Sequence, residues 1–205
     1  ASTQATTTDT TTEEAPKAAE VVPEAAPEST PAPGPVGNTA AADVQWMPFN
    51  PKKPEGIHVY TIKGDPSKGA FSALVKLPAG LKIPMHTHDN TYSGVALTEG
   101  FASGPTAAEV KVIPKFSTWV QPAGGSHANE CRSESPCIFM VNFKGAVNMT
   151  PVEETAAGEA PKTMHSGEAI PWKVVREDKP NGPKMHAFYG NPKEGAFDAL
   201  IWFPP

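Results

Sequence analysis

Two segments constrain this 205-residue chain more than any other feature: Gly80-Leu-Lys-Ile-Pro-Met-His86-Thr-His88 and, some forty residues later, Pro122-Ala-Gly124-Gly-Ser-His127. Two histidines separated by one residue suit a β-strand, because side chains two apart on a strand point to the same face. His86 and His88 can therefore converge on one point, and His127, delivered by a Gly/Pro turn, can complete a facial set. Three convergent imidazoles are the ligand set of a divalent metal ion. The fold must then bring two distant strands side by side.

These residues resemble the two sequence motifs of the cupins. The first is a glycine, five residues, His-x-His, an acid a few residues on and, six further, a glycine; Gly80, His86, His88 and Gly100 fit it. The second is a glycine, five residues, Pro-x-Gly, two residues, His, three residues and Asn; Pro122, Gly124 and His127 fit it. The departures are specific. The glutamate ligand would fall at Tyr92 or Ser93, the leading glycine of the second motif is Phe116, and its closing asparagine is Cys131. The stretch Thr91-Tyr-Ser-Gly-Val-Ala-Leu-Thr-Glu-Gly100 is similar to an uncharacterised group of bacterial two-cupin proteins, relatives of the cupin part of zinc-dependent anti-sigma factors. The resemblance spans residues 44–205. It implies an all-β, metal-binding, double-stranded β-helix (the jelly-roll barrel of antiparallel strands), commonly a homodimer, and it implies no named reaction.

The residue pattern agrees with an all-β reading. His58–Ile62, Ala70–Leu77, Ser93–Leu97, Ser117–Gln121 and Cys137–Phe143 are rich in β-branched and aromatic residues, and Gly/Pro/Asn/Asp clusters separate them. An ungapped internal similarity adds to this: Gly64–Ala79 matches Gly190–Pro205 at eight of sixteen positions. The same offset of 126 pairs Trp46 with Trp172, Lys53 with Lys179, Pro54 with Pro180 and Gly56 with Gly182. A fixed register of this length argues for duplication. The expected organisation is a linker over 1–43, a metal-binding cupin domain over 44–150, a polar linker over 151–168, and the opening strands of an incomplete second cupin repeat over 169–205. Those last strands could cover an open sheet edge of this chain or of a partner.

Composition narrows the setting. Residues 1–43 carry seven acids and one lysine and no aromatic residue, a net charge of −6; the whole chain is −5, which leaves +1 for the remainder. Such a segment buries too little apolar surface to offset its ordering entropy and reads as a disordered Pro/Thr/Glu-rich tether or as a dispensable tail. A nearly neutral folded part has no basic patch for nucleic acid. No apolar run is long enough to span a bilayer. The opening Ala-Ser-Thr-Gln before a Thr/Glu/Pro-rich stretch reads as the start of a mature periplasmic or secreted protein. In that compartment Cys131 and Cys137, flanking the turn-forming Arg-Ser-Glu-Ser-Pro, are expected to form a disulfide. Two buried thiols, or Cys131 as a soft metal ligand, are the alternatives.

His86, His88 and His127 are the expected metal ligands, with zinc or iron(II) first and manganese, nickel or copper also compatible with imidazole. Without a carboxylate the loaded site keeps a charge of +2 and favours anionic ligands. The opposing reading is a barrel that has kept its shape and lost its ion. Tyr92, where the glutamate would begin, is the one candidate catalytic side chain, as a hydrogen-bond donor to a bound ligand or as simple packing. Asp89 is expected to face away from the metal in a turn with Asn90, Glu99 to be solvated, and Met85 to pack in the core or pocket wall. His58, His165 and His186 read as ordinary strand or loop residues. Trp46, Trp119 and Trp172 read as packing anchors, with Trp119 alternatively at the barrel mouth. Three functions fit: an exported metalloenzyme acting on a small molecule by oxygenase- or hydrolase-type chemistry, a non-catalytic binding or sensing module, and an assembly component pairing through its second-repeat strands.

Overall fold

The computed structural model describes residues 39–153 and 163–205. The expected tether therefore lies outside the described residues except for its last five, which include a single 3-10 turn at Ala41–Asp43. In chain order the strands are β1 (Met47–Pro48), β2 (His58–Gly64), β3 (Phe71–Leu77), β4 (Lys82–Thr87), β5 (Tyr92–Ala96), β6 (Phe101–Gly104), β7 (Lys111–Val112), β8 (Thr118–Gln121), β9 (His127–Cys131), β10 (Cys137–Phe143), β11 (Thr150–Pro151), β12 (Thr163–His165), β13 (Lys173–Val174), β14 (Lys184–Gly190) and β15 (Phe197–Trp202). All pairings are antiparallel.

Two sheets face each other. One has the order β1-β2-β3-β10-β5-β8-β12 and the other β11-β4-β9-β6-β7. Period-two alternation builds the space between them. On β10, Cys137, Phe139, Val141 and Phe143 are buried while Ile138, Met140 and Asn142 are less so, the signature of a strand with one core face. The core joins both sheets: Phe71, Leu77 and Phe139 from the first meet Phe101 and Cys131 from the second. Trp119 is 1 % exposed and stacks on Phe101 at 5.4 Å, so it is a core anchor and not a mouth residue. It lies across Gly94, where an added Cβ would come within 2.3 Å of the indole; only glycine permits that approach.

The Cys131–Cys137 disulfide is formed, with a Cα–Cα distance of 5.6 Å. It joins the end of β9 to the start of β10 and so ties one sheet to the other. This closes the alternatives in which Cys131 is a free thiol or a metal ligand.

β13, β14 and β15 form a separate three-stranded sheet. Its pairing can be laid against that of β1–β3. Met47↔Val59 and Pro48↔His58 correspond to Lys173↔Met185 and Val174↔Lys184. The hairpin ladders begin at His58↔Lys76 and Lys184↔Trp202, shift register between Thr61/Lys63 and Ala187/Tyr189, and end at Gly64↔Phe71 and Gly190↔Phe197. Every one of these positions differs by 126. The small sheet rests on the outer face of the larger one. Ser93 bonds Asp198 at 2.5 Å, Thr118 bonds His186 at 3.2 Å, and Lys144 pairs with Asp198 at 2.8 Å. That cover explains why all five residues of β5 are buried although only one face looks into the barrel.

The segment expected as a linker contributes structure at both ends. β11 pairs with β4 and β12 with β8, while residues 154–162 lie outside the described part.

Candidate metal centre

β4 and β9 are hydrogen-bonded neighbours, and His86 is the direct register partner of His127. The ladder is irregular between Ile83 and His86, and His88 lies just beyond the end of β4. The three rings nonetheless meet: centroid separations are 4.2 Å for His86–His127, 5.1 Å for His86–His88 and 5.5 Å for His88–His127. One ligand nitrogen from each lies within 4.8 Å of the others. A tetrahedral ion with bonds of about 2.0–2.1 Å asks for separations of about 3.4 Å. All three histidines are buried, at 4, 8 and 1 % exposure.

The hydrogen bonds fix which nitrogen each ring presents. His86 Nδ1 bonds the Pro84 carbonyl at 2.7 Å, His88 Nδ1 bonds the Asn148 carbonyl, and His127 Nδ1 bonds the Gly125 carbonyl at 3.2 Å. A carbonyl oxygen only accepts, so each Nδ1 carries the proton and each Nε2 carries the lone pair. The same arrangement orients histidine ligands in metal sites generally. Burial, reinforced by His86, lowers the pKa of His88 to about 4, although the Asn148 carbonyl and Asp89 act in the other direction. His88 is therefore a neutral donor near pH 7.

Neighbouring elements hold these carbonyls in place. The turn before His127 runs through Gly124, whose φ of +74° favours glycine and whose N–H donates to the His88 carbonyl at 2.8 Å. Gln121 Nε2 donates to the Gly125 carbonyl at 3.0 Å, beside the His127 bond. Beyond β10 the chain folds back over the motif. Asn90 Nδ2 donates to the Ala146 carbonyl at 3.0 Å, the Asp89 N–H donates to Asn148 Oδ1 at 2.9 Å, and Asn148 Nδ2 donates to the Asp89 carboxylate. Asp89 thus pairs with Asn148, the residue whose carbonyl receives His88. Gln121 and Asn148 do not stand out in the sequence; the one available signal was that Gln121 adjoins Pro122 of the second motif.

Tyr92 stands where the motif's carboxylate would be. Its hydroxyl donates to His127 Nε2 at 3.0 Å, and its ring stacks on Phe143 at 4.6 Å. Burial pushes the phenol pKa up, so it stays protonated and a donor. No carboxylate or thiol joins the three histidines among the described residues. The donor set fits a divalent ion that accepts imidazole, with the Tyr92 hydroxyl against His127.

A cavity of about 110 Å³ adjoins two of the three histidines, with His86, His88, Tyr92 and Asn129 in its wall and hydrocarbon over the rest. Met85 is buried in a second cluster with Ala102, Val110 and Ala128. Outside the site, His165 and His186 meet at 4.7 Å between the barrel and the small sheet, and His186 is 4 % exposed.

Two facing antiparallel sheets with motif histidines meeting between them define a cupin barrel. More particularly, the chain belongs to the family described as domain of unknown function DUF4437, whose profile matches residues 38–205. No curated protein sequence matches it. Among solved structures it is similar to an RmlC-like cupin from Ralstonia eutropha JMP134, at 21 % identity over 64 % of this chain and 80 % of that one, with a TM-score of 0.46. It is also similar to the polyketide cyclase RemF from Streptomyces resistomycificus, at 13 % identity over 60 % and 89 %, TM-score 0.48. A third similarity is to KdgF from a Halomonas species, at 15 % identity over 51 % and 92 %, TM-score 0.41. Among the described residues no helix is long and apolar enough to cross a membrane. The disulfide is compatible with an oxidising compartment.

Proposed function

We propose that this protein is an exported cupin that holds one divalent cation, zinc or iron(II), through His86, His88 and His127 and presents it to a small molecule. The observation that carries this reading is the shared tautomer: three Nδ1 atoms on backbone carbonyls, which leaves Nε2 of each ring to coordinate, in a cluster whose ligand atoms lie within 4.8 Å of one another. A bound ion supplies Lewis acidity, and iron adds redox chemistry. The chain's own part is to fix the rings, set an apolar chamber against them, and hold the Tyr92 hydroxyl at His127. Export is supported by the disulfide. Residues 169–205 are read as the opening strands of a second cupin unit, supported by the shared register offset.

Elemental analysis of purified protein tests this directly. The wild type is expected to carry a single divalent ion per chain, and the His86→Ala/His88→Ala variant none. Wild-type protein that takes up no ion from zinc, iron(II), manganese, nickel or copper solutions overturns the reading.

The lack of a carboxylate in the histidine set among the described residues favours a second reading, in which the barrel binds or senses a ligand without turning it over. Oxygen consumption by the iron-loaded protein with diketones, thiols and phenols separates the two. Uptake with any of them supports an oxygenase; none, together with tight stoichiometric zinc, supports the binding module.

A further inference from the structure

We propose that the chamber beside His86 and His88 takes a monoanionic ligand: one oxygen-donor head at the ion and an uncharged hydrocarbon body no larger than one ring. The inference deepens the metal-binding reading above and rests on it.

The wall of the chamber is divided. Its polar members are His86, His88, Tyr92 and Asn129, and Asn129 lies two residues from His127 on the same face of β9. Among the described residues no Asp, Glu, Lys or Arg side chain contributes to it. Away from the histidines the wall is aromatic and aliphatic. Phe71 stacks on Phe143 at 4.9 Å and Phe143 on Tyr92 at 4.6 Å, a continuous aromatic surface that ends at the hydroxyl bonded to His127.

Charge decides the head group. Three neutral imidazoles leave the +2 of the ion uncompensated, so a carboxylate or enolate oxygen is favoured over a neutral donor. Charge also decides the body. A second ionised group would lose its hydration against hydrocarbon and find no partner there. Size sets the rest: an apolar cavity of about 150 Å³ accommodates benzene, so about 110 Å³ limits the body to at most one ring or a short alkyl chain. Met149 lines the chamber and is 43 % exposed, which places it at the opening.

The test uses the full chain loaded with cobalt(II), whose visible absorption reports on ligands entering the coordination sphere. Acetate, butyrate, hexanoate, benzoate and adipate are titrated in turn. Affinity is expected to rise about fourfold per added methylene up to hexanoate. Benzoate should exceed acetate by more than tenfold, and adipate should fall at least tenfold below hexanoate. The Met149→Lys variant, altered at an exposed position, should retain one cobalt and recover most of the adipate loss. Equal affinity for acetate and benzoate, adipate matching hexanoate, or no recovery in Met149→Lys overturns the proposal while leaving the metal reading intact. If cobalt does not bind, the metal reading fails and this proposal with it.

Discussion

The tyrosine at position 92 does in the barrel what a carboxylate cannot: it offers a proton without adding charge. Its hydroxyl now donates to the His127 lone pair, the same lone pair an ion would use, so in a loaded site the hydroxyl would be free to donate to another ligand of the ion. Tyr92→Phe is therefore expected to bind zinc at least as tightly as wild type by competition titration. It should hold benzoate on the cobalt form about tenfold more weakly, the worth of one hydrogen bond to a charged acceptor. Phe116 is the second residue that breaks the motif. It occupies the leading glycine position and keeps the glycine-like conformation, with φ of +65°, the one non-glycine residue with positive φ among those described. A left-handed L-residue costs roughly 1–2 kcal/mol. The Lys115 ammonium over its ring at 4.9 Å returns about 0.5–1 kcal/mol at an exposed site. Comparing two truncations removes the ring contact from the question: Phe116→Gly is expected to be more stable than Phe116→Ala by about 1 kcal/mol in urea unfolding.

The hairpin between β2 and β3 and the one between β14 and β15 show one element built with two chemistries. In the first turn Asp65 accepts from the Ser67 N–H at 3.0 Å and the Ser67 hydroxyl at 2.7 Å and pairs with Lys68 at 3.0 Å. In the second, Asn191 accepts from the Lys193 N–H at 3.0 Å. The Ser67 and Lys68 contacts lower the Asp65 pKa to about 2. A carboxylate depressed on folding stabilises fully above its unfolded pKa of about 3.9 and loses that contribution as pH falls through the folded value. Asp65→Asn should therefore flatten the dependence of stability on pH between about 4 and 2 while keeping the turn, as its counterpart does; urea midpoints across that range check it. Elements of this kind were partly legible beforehand. The strands rich in valine, phenylalanine and leucine announce themselves, as β3 and β10 do. β4, interrupted by Pro84, and β9, reading His-Ala-Asn-Glu-Cys, carry no such pattern. Only the spacing of their histidines marked them. Nothing in the sequence gave the carbonyls that hold those histidines, because main-chain partners leave no trace in residue identity.

At the scale of the whole molecule, polar contacts join the small C-terminal sheet to the barrel. Asp198 receives both Ser93 and Lys144, and Lys144 also lies 4.1 Å from the Tyr189 ring. The sheet meanwhile leaves Phe197, Ile201, Trp202 and Phe203 exposed. Removing a half-buried charged acceptor costs about 1.5 kcal/mol, enough to speed local opening about tenfold. Asp198→Ala is expected to exchange amide hydrogens about tenfold faster across 173–202 with barrel protection unchanged, by hydrogen-exchange mass spectrometry. The sequence disclosed that the two hairpins are alike, through matched Gly-Ala-Phe and Ala-Leu residues. It did not disclose where the second one docks, since Ser93, Thr118 and Asp198 are small polar residues that would serve equally well in water.

The peptide groups of Pro84, Gly125 and Asn148 have one more implication, for inheritance. A carboxylate anchor can be deleted by a single codon change, whereas a peptide carbonyl is present whatever residue stands there. Mutational drift around this centre can shift its anchors only by moving the backbone, so the orientation of the rings should outlast changes in most of the side chains that surround them.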